Sequence, residues 1–263
     1  MGTISTKAER KRVMVNGKLV TYSQIYAKEE LAKFSPAVLG LGDIGQKSIR
    51  TDVIAGVFDL SGFTDFCSQA DAHLTMPRFL REFLAWLFRY IESEFIEKTF
   101  DEGVLLYSDL PFFAKFTGDG ALFLWNTENM DMRKICNVLI IAGNVCNQYS
   151  TDFVPRAKKY ASGAPGALRC GLACGLVCSV GNGEDYVGSC INTASRLQKL
   201  SNLQLCCSQK GINVEEGMPS STVKAYLTKR VAIRGIGRGE LVIVRKWDFE
   251  NLSDAEKKLF KDV

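Results

Sequence analysis

The sequence predicts an α+β fold, and three observations lead to it. Short apolar runs bounded by turn residues recur along the chain and indicate strands. Two long segments carry apolar residues at i, i+3 and i+4 spacing, which indicates amphipathic helices. Several strands come in pairs joined by tight turns, which predicts hairpins. Strands, long helices and hairpins in this order fit a sandwich with one helical layer on a mostly antiparallel sheet.

The first 50 residues differ in charge from the rest of the chain. They carry nine Lys or Arg and four Asp or Glu, while the whole chain has a net charge of +4. The excess positive charge therefore belongs to this stretch, and the rest gives no argument for binding nucleic acid. We interpret residues 1–51 as an N-terminal extension that is mainly a solvated tail. It has weak helical periodicity from Tyr22 to Phe34, which Pro36 ends.

Residues 52–263 are interpreted as one domain, and its elements follow in order. The glycine-rich stretch before it, residues 40–45, lacks the Lys-Ser/Thr ending of a P-loop and is interpreted as a connection. The predicted elements are a strand over 53–58, a helix over 75–98, strands over 110–113 and 121–125, a helix over 132–149, a strand over 168–180, a helix over 189–200, a strand over 203–207, a further helix, a strand pair around 222–234 and 240–247, and a terminal helix from Ser253.

Composition excludes several classes of function. Nine cysteines include no Cys-x-x-Cys pair, and His73 is the only histidine, so zinc sites lack their usual ligands. Cys170, Cys174 and Cys178 recur every four residues, which predicts small core residues on one face of a strand. No apolar run approaches the ~20 residues that span a membrane, and no signal-peptide core follows the basic start. We therefore expect a cytoplasmic protein with no membrane partner.

Two aspartates lie in turns that adjoin short apolar strands. Asp59 follows the apolar run 53–58, and Gly62 then opens a tight turn into a helical pattern. Asp119 lies in an Asp-Gly turn between two apolar runs, which predicts a hairpin. Carboxylates beside loop amides suit a hard cation that carries phosphates. If the hairpin tip lies beside the strand that ends at Asp59, the two aspartates can bind two metal ions.

A second candidate region follows the glycine-rich stretch 181–188. Asn192 and Arg196 lie four residues apart in the predicted helix after it, so both project from the same helix face. Such a pair on a helix surface is ordinary. Its proximity to a glycine-rich loop makes it a candidate for a site.

Three motifs together resemble a known family. VFDLSGFT at 57–64, KFTGDG at 115–120 and DYVGSCINTASR at 185–196 occur in the order and at the spacing of class III nucleotide cyclase catalytic domains. The resemblance covers about residues 52–250. It implies a ferredoxin-like βααββαβ core and an antiparallel homodimer, with two active sites built from both protomers.

The resemblance also implies roles for individual residues. The cofactors are two divalent ions, Mg²⁺ or Mn²⁺, bound by Asp59, Asp119 and the carbonyl of Leu60. The remaining roles are phosphate binding by the amides of Gly62, Phe63 and Thr64, ribose orientation by Asn192, charge stabilisation at the α-phosphate by Arg196, terminal-phosphate binding by Arg234 with Arg238 as the alternative, and base recognition by Lys115 and Asp185.

Hydrogen bonding alone does not decide which base the substrate carries. A Lys/Asp pair usually accompanies adenine in this family, but one donor and one acceptor also match cytosine or uracil. A further resemblance, carried by VLGLGDIGQKS, DLSGFTDFC and LPFFAKFTGDGALFLW, is to the pyrimidine cyclases of bacterial Pycsar anti-phage systems. It implies UTP as substrate and cyclic UMP as a messenger for an effector in trans. CTP, an ordinary ATP cyclase and a non-catalytic nucleotide-binding module are the alternatives.

Overall fold

The computed structural model describes residue 7 and residues 9–263. Residues 1–6 and 8 of the predicted extension lie outside the described residues. The chain divides into two compact units. Among the described residues, the first comprises those up to Ile49 with Cys178–Val187, and the second comprises Arg50–Val177 with Gly188–Val263.

A β-hairpin opens the first unit. Asn16 and Gly17 both have positive φ values, 49° and 75°, which is the geometry of a tight type I′ turn between antiparallel strands. The predicted helix from Tyr22 is therefore wrong at its start, because Tyr22 pairs with Lys11 in the hairpin. The Asn-Gly dipeptide was the available signal. The elements are β1 (Glu9–Val15), β2 (Lys18–Ile25), α1 (Lys28–Ala32), a 3₁₀ turn (Pro36–Leu39), a second 3₁₀ turn (Gly181–Gly183) and β9 (Asp185–Val187).

An eight-stranded sheet forms the body of the second unit. Its strands are β3 (Arg50–Ser61), β6 (Phe113–Phe116), β7 (Gly120–Asn126), β8 (Ala167–Val180), β10 (Leu205–Ser208), β11 (Tyr226–Ile233), β12 (Gly237–Arg245) and β13 (Phe260–Lys261). The spatial order is β13-β11-β12-β10-β8-β3-β7-β6. β8 and β10 are parallel, whereas β3–β7, β6–β7, β10–β12, β11–β12 and β11–β13 are antiparallel. Residues 178–180 of β8 belong to the first unit and pair with β9.

The helices of the second unit connect these strands. They are α2 (Phe63–Cys67), α3 (Ala72–Phe95), α4 (Met132–Gln148), a π-helical turn (Tyr149–Phe153), α5 (Val154–Ala157), α6 (Ser189–Leu197), α7 (Val214–Gly217), α8 (Ser220–Val223), α9 (Lys246–Glu250) and α10 (Asp254–Lys257). None of the helices in the described part of the chain has the length and hydrophobicity needed to cross a bilayer.

The predicted fold class is confirmed. β3, α2, α3, β6, β7, α4 and β8 follow each other in the order βααββαβ, and their four strands lie side by side as β8-β3-β7-β6. A small separate hairpin, β4 (Ile96–Phe100) with β5 (Gly103–Leu106), interrupts this order between α3 and β6. The sequence analysis treated that stretch as the end of the long helix and a connection, and the helix in fact ends at Phe95.

Helices cover both faces of the sheet, so the predicted single helical layer is wrong. Leu205 and Cys207 of β10 pack into one hydrophobic cluster with α3 and α4. Cys206, which points to the opposite face, packs into a second cluster with Leu197 of α6. The consecutive apolar residues of β10 and β12 were the sequence signal, because a strand buried on both faces loses its alternation.

The cysteines are mostly core residues, as predicted, and all nine are free thiols. Six are buried, Cys174 and Cys178 are half-buried, and Cys67 is exposed. Burial raises the pKa of Cys136 to about 11, so this thiol stays protonated at neutral pH. Within the described residues, no group of three or more His, Cys, Asp or Glu side chains is arranged to bind a metal ion.

A buried ion pair joins the ends of several elements in the second unit. The Arg245 guanidinium donates from Nε and Nη2 to the carboxylate of Asp248 at 2.8 and 2.9 Å. Its remaining donors contact the Gly143 carbonyl of α4 and the side chain of Gln204. Asp248 also accepts from the backbone N–H of Leu205. The pair therefore connects β12, α9, α4 and the start of β10. Each of the three guanidinium nitrogens of Arg245 donates at least one hydrogen bond.

We expect Asp248→Ala to lower the free energy of unfolding by about 1–3 kcal/mol, because it leaves the half-buried Arg245 guanidinium without its buried partner. Urea denaturation followed by circular dichroism measures this loss. The matched control is Lys246→Met, which removes an exposed ion pair to Glu250 in the same helix and should change stability by less than about 0.5 kcal/mol. Equal effects of the two substitutions would contradict the assigned role of the buried pair.

Candidate active site

The register between β3 and β7 places the two predicted aspartates next to each other. Asp59 of β3 lies directly opposite Gly120 of β7, and the backbone N–H of Leu60 donates to the carbonyl of Asp119 at 2.9 Å. The hairpin formed by β6 and β7 turns at Gly118, which has φ = 101°. Asp119 therefore lies at the hairpin tip beside the end of β3, the arrangement on which the metal hypothesis depends.

Asp59 is a buried carboxylate on the sheet face that α6 covers. Its neighbours Phe58 and Leu60 point into the core beneath α3 and α4, so Asp59 points to the opposite face. Burial raises the pKa of Asp59; the guanidinium of Arg169 opposes the rise and the Asp119 carboxylate adds to it. Two acidic groups close together in a poorly solvated position need positive charge nearby.

Arg169 supplies that charge, and the sequence analysis missed it. Its Nη2 donates to Oδ2 of Asp59 at 2.9 Å, and the two side chains are 20% and 7% exposed. Arg169 lies on β8, the strand next to β3 in the sheet. The sequence signal was an arginine between the buried residues Leu168 and Cys170, at a position whose side chain points to the same face as Asp59.

The oxygen donors here fit a hard divalent cation. Two carboxylates, Asp59 and Asp119, and the backbone around Leu60 come together at the end of one strand pair, and oxygen is the donor that Mg²⁺ and Mn²⁺ prefer. Asp119 is partly exposed, whereas Asp59 is buried. Ions would therefore reach the pair from the side of the hairpin tip.

The turn after β3 has a backbone conformation that favours glycine. Gly62 has φ = 87°, a left-handed value that residues with a side chain rarely adopt. Phe63 and Thr64 follow as the first residues of α2, where backbone N–H groups have no partner within the helix. These N–H groups are the ones assigned to phosphate binding.

Asn192 and Arg196 lie on α6, and both side chains are exposed. The helix lies unusually close to the sheet, because a Cβ added at Gly171 of β8 would lie 2.0 Å from the Ala194 carbonyl oxygen. The Arg196 guanidinium lies against the β11–β12 turn, where a Cβ added at Gly235 would be 3.1 Å from its Nη2. Arg196 is thus placed beside the turn that carries the candidate terminal-phosphate residues.

The remaining predicted residues lie on two different units. Lys115 of β6 is opposite Leu122, which is opposite Val57, so Lys115 shares the sheet face of Asp59. Arg234 and Arg238 are exposed and flank the β11–β12 turn. Asp185 begins β9 in the first unit, where its Oδ1 accepts from the N–H of Tyr186.

Comparison with known proteins bears on the fold. No family model and no curated protein matches the sequence. Among solved structures, the chain is similar to the guanylyl cyclase Cya2, with a TM-score of 0.55, 16% identity, and coverage of 79% of this chain and 99% of that one. It is also similar to the catalytic core of a rhodopsin-guanylyl cyclase with converted specificity in complex with ATPalphaS, with a TM-score of 0.52, 18% identity, and coverage of 76% and 100%.

The chain has the fold of a class III nucleotide cyclase catalytic domain. Within this cyclase fold, the structure puts Asp59, Asp119 and the turn after β3 at one place in the second unit. It puts Asn192 and Arg196 on a helix of the same unit, with the Arg196 guanidinium beside the β11–β12 turn.

We expect Gly171→Ala to destabilise the fold by about 1–3 kcal/mol, because the added methyl group meets the backbone of α6. Thermal denaturation measures the change. The matched control is Gly166→Ala, where an added Cβ meets no atom within 4 Å and stability should stay the same or rise slightly. A Gly171→Ala protein as stable as the control would contradict the close packing of α6 on β8.

Proposed function

We propose that this protein is a metal-dependent nucleotide cyclase that converts a ribonucleoside triphosphate to a 3′,5′-cyclic nucleotide and pyrophosphate. The observation that carries the proposal is the pairing of β3 with β7, which brings Asp59 and Asp119 together in a cyclase fold. The motifs around both aspartates and on α6 support it further.

In this proposal Asp59, Asp119 and the Leu60 carbonyl hold two divalent ions. When bound, such ions lower the pKa of the ribose 3′-hydroxyl and neutralise charge on the triphosphate. A carboxylate set without histidine agrees with this chemistry, because oxygen donors select Mg²⁺ or Mn²⁺. The only histidine of the chain, His73, belongs to α3.

The other residues position the substrate and stabilise charge. The N–H groups of Gly62, Phe63 and Thr64 hold the triphosphate, and Arg234 holds its terminal phosphates, with Arg238 as the alternative. In the reaction the 3′-oxygen loses its proton and bonds to the α-phosphorus, while the bond from that phosphorus to pyrophosphate breaks. Asn192 orients the ribose during attack. Arg196 stabilises the negative charge that builds up at the α-phosphate.

We propose that two copies of the chain form each active site. The family resemblance supports an antiparallel homodimer in which one protomer supplies the aspartates and the other supplies α6. The exposure of Asn192 and Arg196 agrees with a partner's substrate as their target.

We propose UTP as the substrate, CTP as the second candidate and ATP as the third. The sequence resemblance to pyrimidine cyclases of anti-phage systems supports this order, and it extends to a cyclic UMP messenger that acts on an effector in trans. Lys115 and Asp185 are the proposed base-binding residues. Their one donor and one acceptor match all three bases, so the volume of the base pocket decides among them.

We expect Asp119→Ala to reduce product formation by more than about a hundredfold, because it removes a carboxylate ligand of the proposed ions. Cyclic nucleotide released with Mn²⁺ present measures the effect, and size-exclusion chromatography should show an unchanged dimer. The control is Asp109→Ala, which removes an exposed ion pair to Lys134 and should leave turnover as it is. Unchanged turnover in Asp119→Ala would contradict the metal assignment.

We expect UTP to give the most product when each of the four ribonucleoside triphosphates is incubated separately with the protein and Mn²⁺. The reason is the resemblance to pyrimidine cyclases, since the hydrogen bonds of Lys115 and Asp185 alone do not discriminate among the bases. Chromatography of the products measures the four rates. Exclusive formation of cyclic AMP would end the pyrimidine proposal and leave the cyclase proposal intact. No product from any of the four would favour the non-catalytic alternative.

A further inference from the structure

A groove lies between α3 and the segment formed by the π-helical turn and α5. Its volume is about 380 Å³, and arginines line it from both sides, Arg81 and Arg89 on α3 and Arg156 on α5. A volume of this size is within the range of pockets that hold small molecules. α3 packs on the sheet face opposite to the one that carries Asp59. The groove is therefore separate from the candidate active site.

Aromatic side chains form a rigid floor for this groove. Trp86 and Phe153 line it, although they are only 5% and 3% exposed. Their ring centroids are 5.4 Å apart, and Trp86 also stacks on Tyr90. The indole N–H of Trp86 donates to Oδ2 of Asp152 at 3.1 Å. Because packing and a hydrogen bond fix the floor, a ligand meets a preformed surface.

The two acids beside the groove are already paired with arginines. Oε1 of Glu82 accepts from Nε of Arg78 at 2.8 Å, and Oδ2 of Asp152 accepts from Nη2 of Arg156 at 2.6 Å. The hydrogen bond from Arg78 lowers the pKa of Glu82, so this carboxylate is ionised at neutral pH. Each acid therefore offsets the charge of one arginine.

Arg81 and Arg89 add two positive charges that these acids do not offset. In the part of the chain that the structure describes, neither forms an ion pair with a carboxylate. Nε of Arg89 donates to the Ala85 carbonyl at 3.1 Å, so its guanidinium lies over the preceding turn, toward Arg81. Ala85 lines the groove between the two arginines, and its small side chain leaves room there. With the two neutral pairs included, the groove carries a net charge of +2.

We propose that this groove binds a phosphate group, either as free phosphate or as part of a small phosphate ester. A phosphate ester carries a charge of about −1.5 to −2 at neutral pH, which matches the excess charge of the groove. Guanidinium groups bind phosphate oxygens through paired hydrogen bonds. A carboxylate carries a single charge and would leave half of the excess unbalanced. The inference does not depend on the proposed function.

The first test follows the indole N–H signal of Trp86 by nuclear magnetic resonance in protein labelled with ¹⁵N-tryptophan. The chain has three tryptophans, and the signal that is lost in Trp86→Phe is assigned to Trp86. Inorganic phosphate and UMP are the probes, added with EDTA at low salt so that charges are not screened. Potassium chloride at matched ionic strength is the blank.

We expect phosphate to shift the Trp86 signal, because the anion competes with Asp152 for Arg156 and Asp152 accepts the indole hydrogen bond. The other two tryptophan signals should move less, since neither Trp125 nor Trp247 lines the groove. A Trp86 signal that neither probe moves beyond the chloride blank would overturn the proposal.

The second test compares Arg89→Gln with Arg133→Gln. Both remove one exposed arginine from a long helix of the second unit, but Arg133 belongs to α4 and does not line the groove. Titration of the Trp86 signal gives the dissociation constant of phosphate for each protein. We expect Arg89→Gln to bind phosphate about tenfold more weakly than wild type, because charge-assisted hydrogen bonds are lost. Arg133→Gln should match wild type within about twofold.

Equal phosphate affinity in Arg89→Gln and Arg133→Gln would overturn the assignment of the groove. The two probes distinguish the sources of the phosphate group. Tighter binding of UMP than of inorganic phosphate would support a phosphate ester whose organic part contacts the aromatic floor. Equal binding of the two probes would support free phosphate as the ligand.

Discussion

The antiparallel register between β3 and β7 is the constraint on which the candidate site depends. Because side chains alternate along a strand, a slip of one residue would turn Asp59 into the core and move Asp119 away from the strand end. Gly120 helps to fix this register. A Cβ at that position would lie 1.9 Å from the Phe58 carbonyl oxygen, so only glycine allows the two strands to approach this closely here.

The two buried arginine–aspartate pairs of the second unit differ in a way that matches their positions. Arg245 contacts Asp248 through two nitrogens, and it also donates to the Gly143 carbonyl and to the Gln204 side chain. That pair lies where several elements meet, and nothing about it calls for movement. Arg169 contacts Asp59 through one nitrogen, and its buried Nε has no hydrogen-bond partner among the described residues. The first pair uses most of its donors and joins several elements, whereas the second mainly places a positive charge beside Asp59.

Close packing of α6 on the sheet positions the second set of candidate residues. Gly171 removes a side chain where the helix backbone passes, and Gly235 leaves room for the Arg196 guanidinium at the β11–β12 turn. At both contacts of α6, a glycine is present because a side chain would collide with the helix or with Arg196. Ala194 and Leu197 are the buried residues on one face of this helix. Asn192 and Arg196 lie on another face and project outward.

The sequence alone determined the local elements and the motifs. Apolar periodicity predicted both long helices, and the Asp-Gly turn predicted the hairpin that carries Asp119. These features depend on residues close together in the chain. The Asn16–Gly17 hairpin was equally local, and it was missed because weak helical periodicity was preferred to a turn signal.

Only the tertiary structure decided which distant residues share a site. Arg169 is 110 residues from Asp59 along the chain, and no spacing rule connects them. Helices on both faces of the sheet, and the meeting of Arg245 with α4 and β10, likewise depend on strand order. Periodicity reports the face on which a residue lies, but strand order and register determine its neighbours, and these are set by packing across the whole sheet.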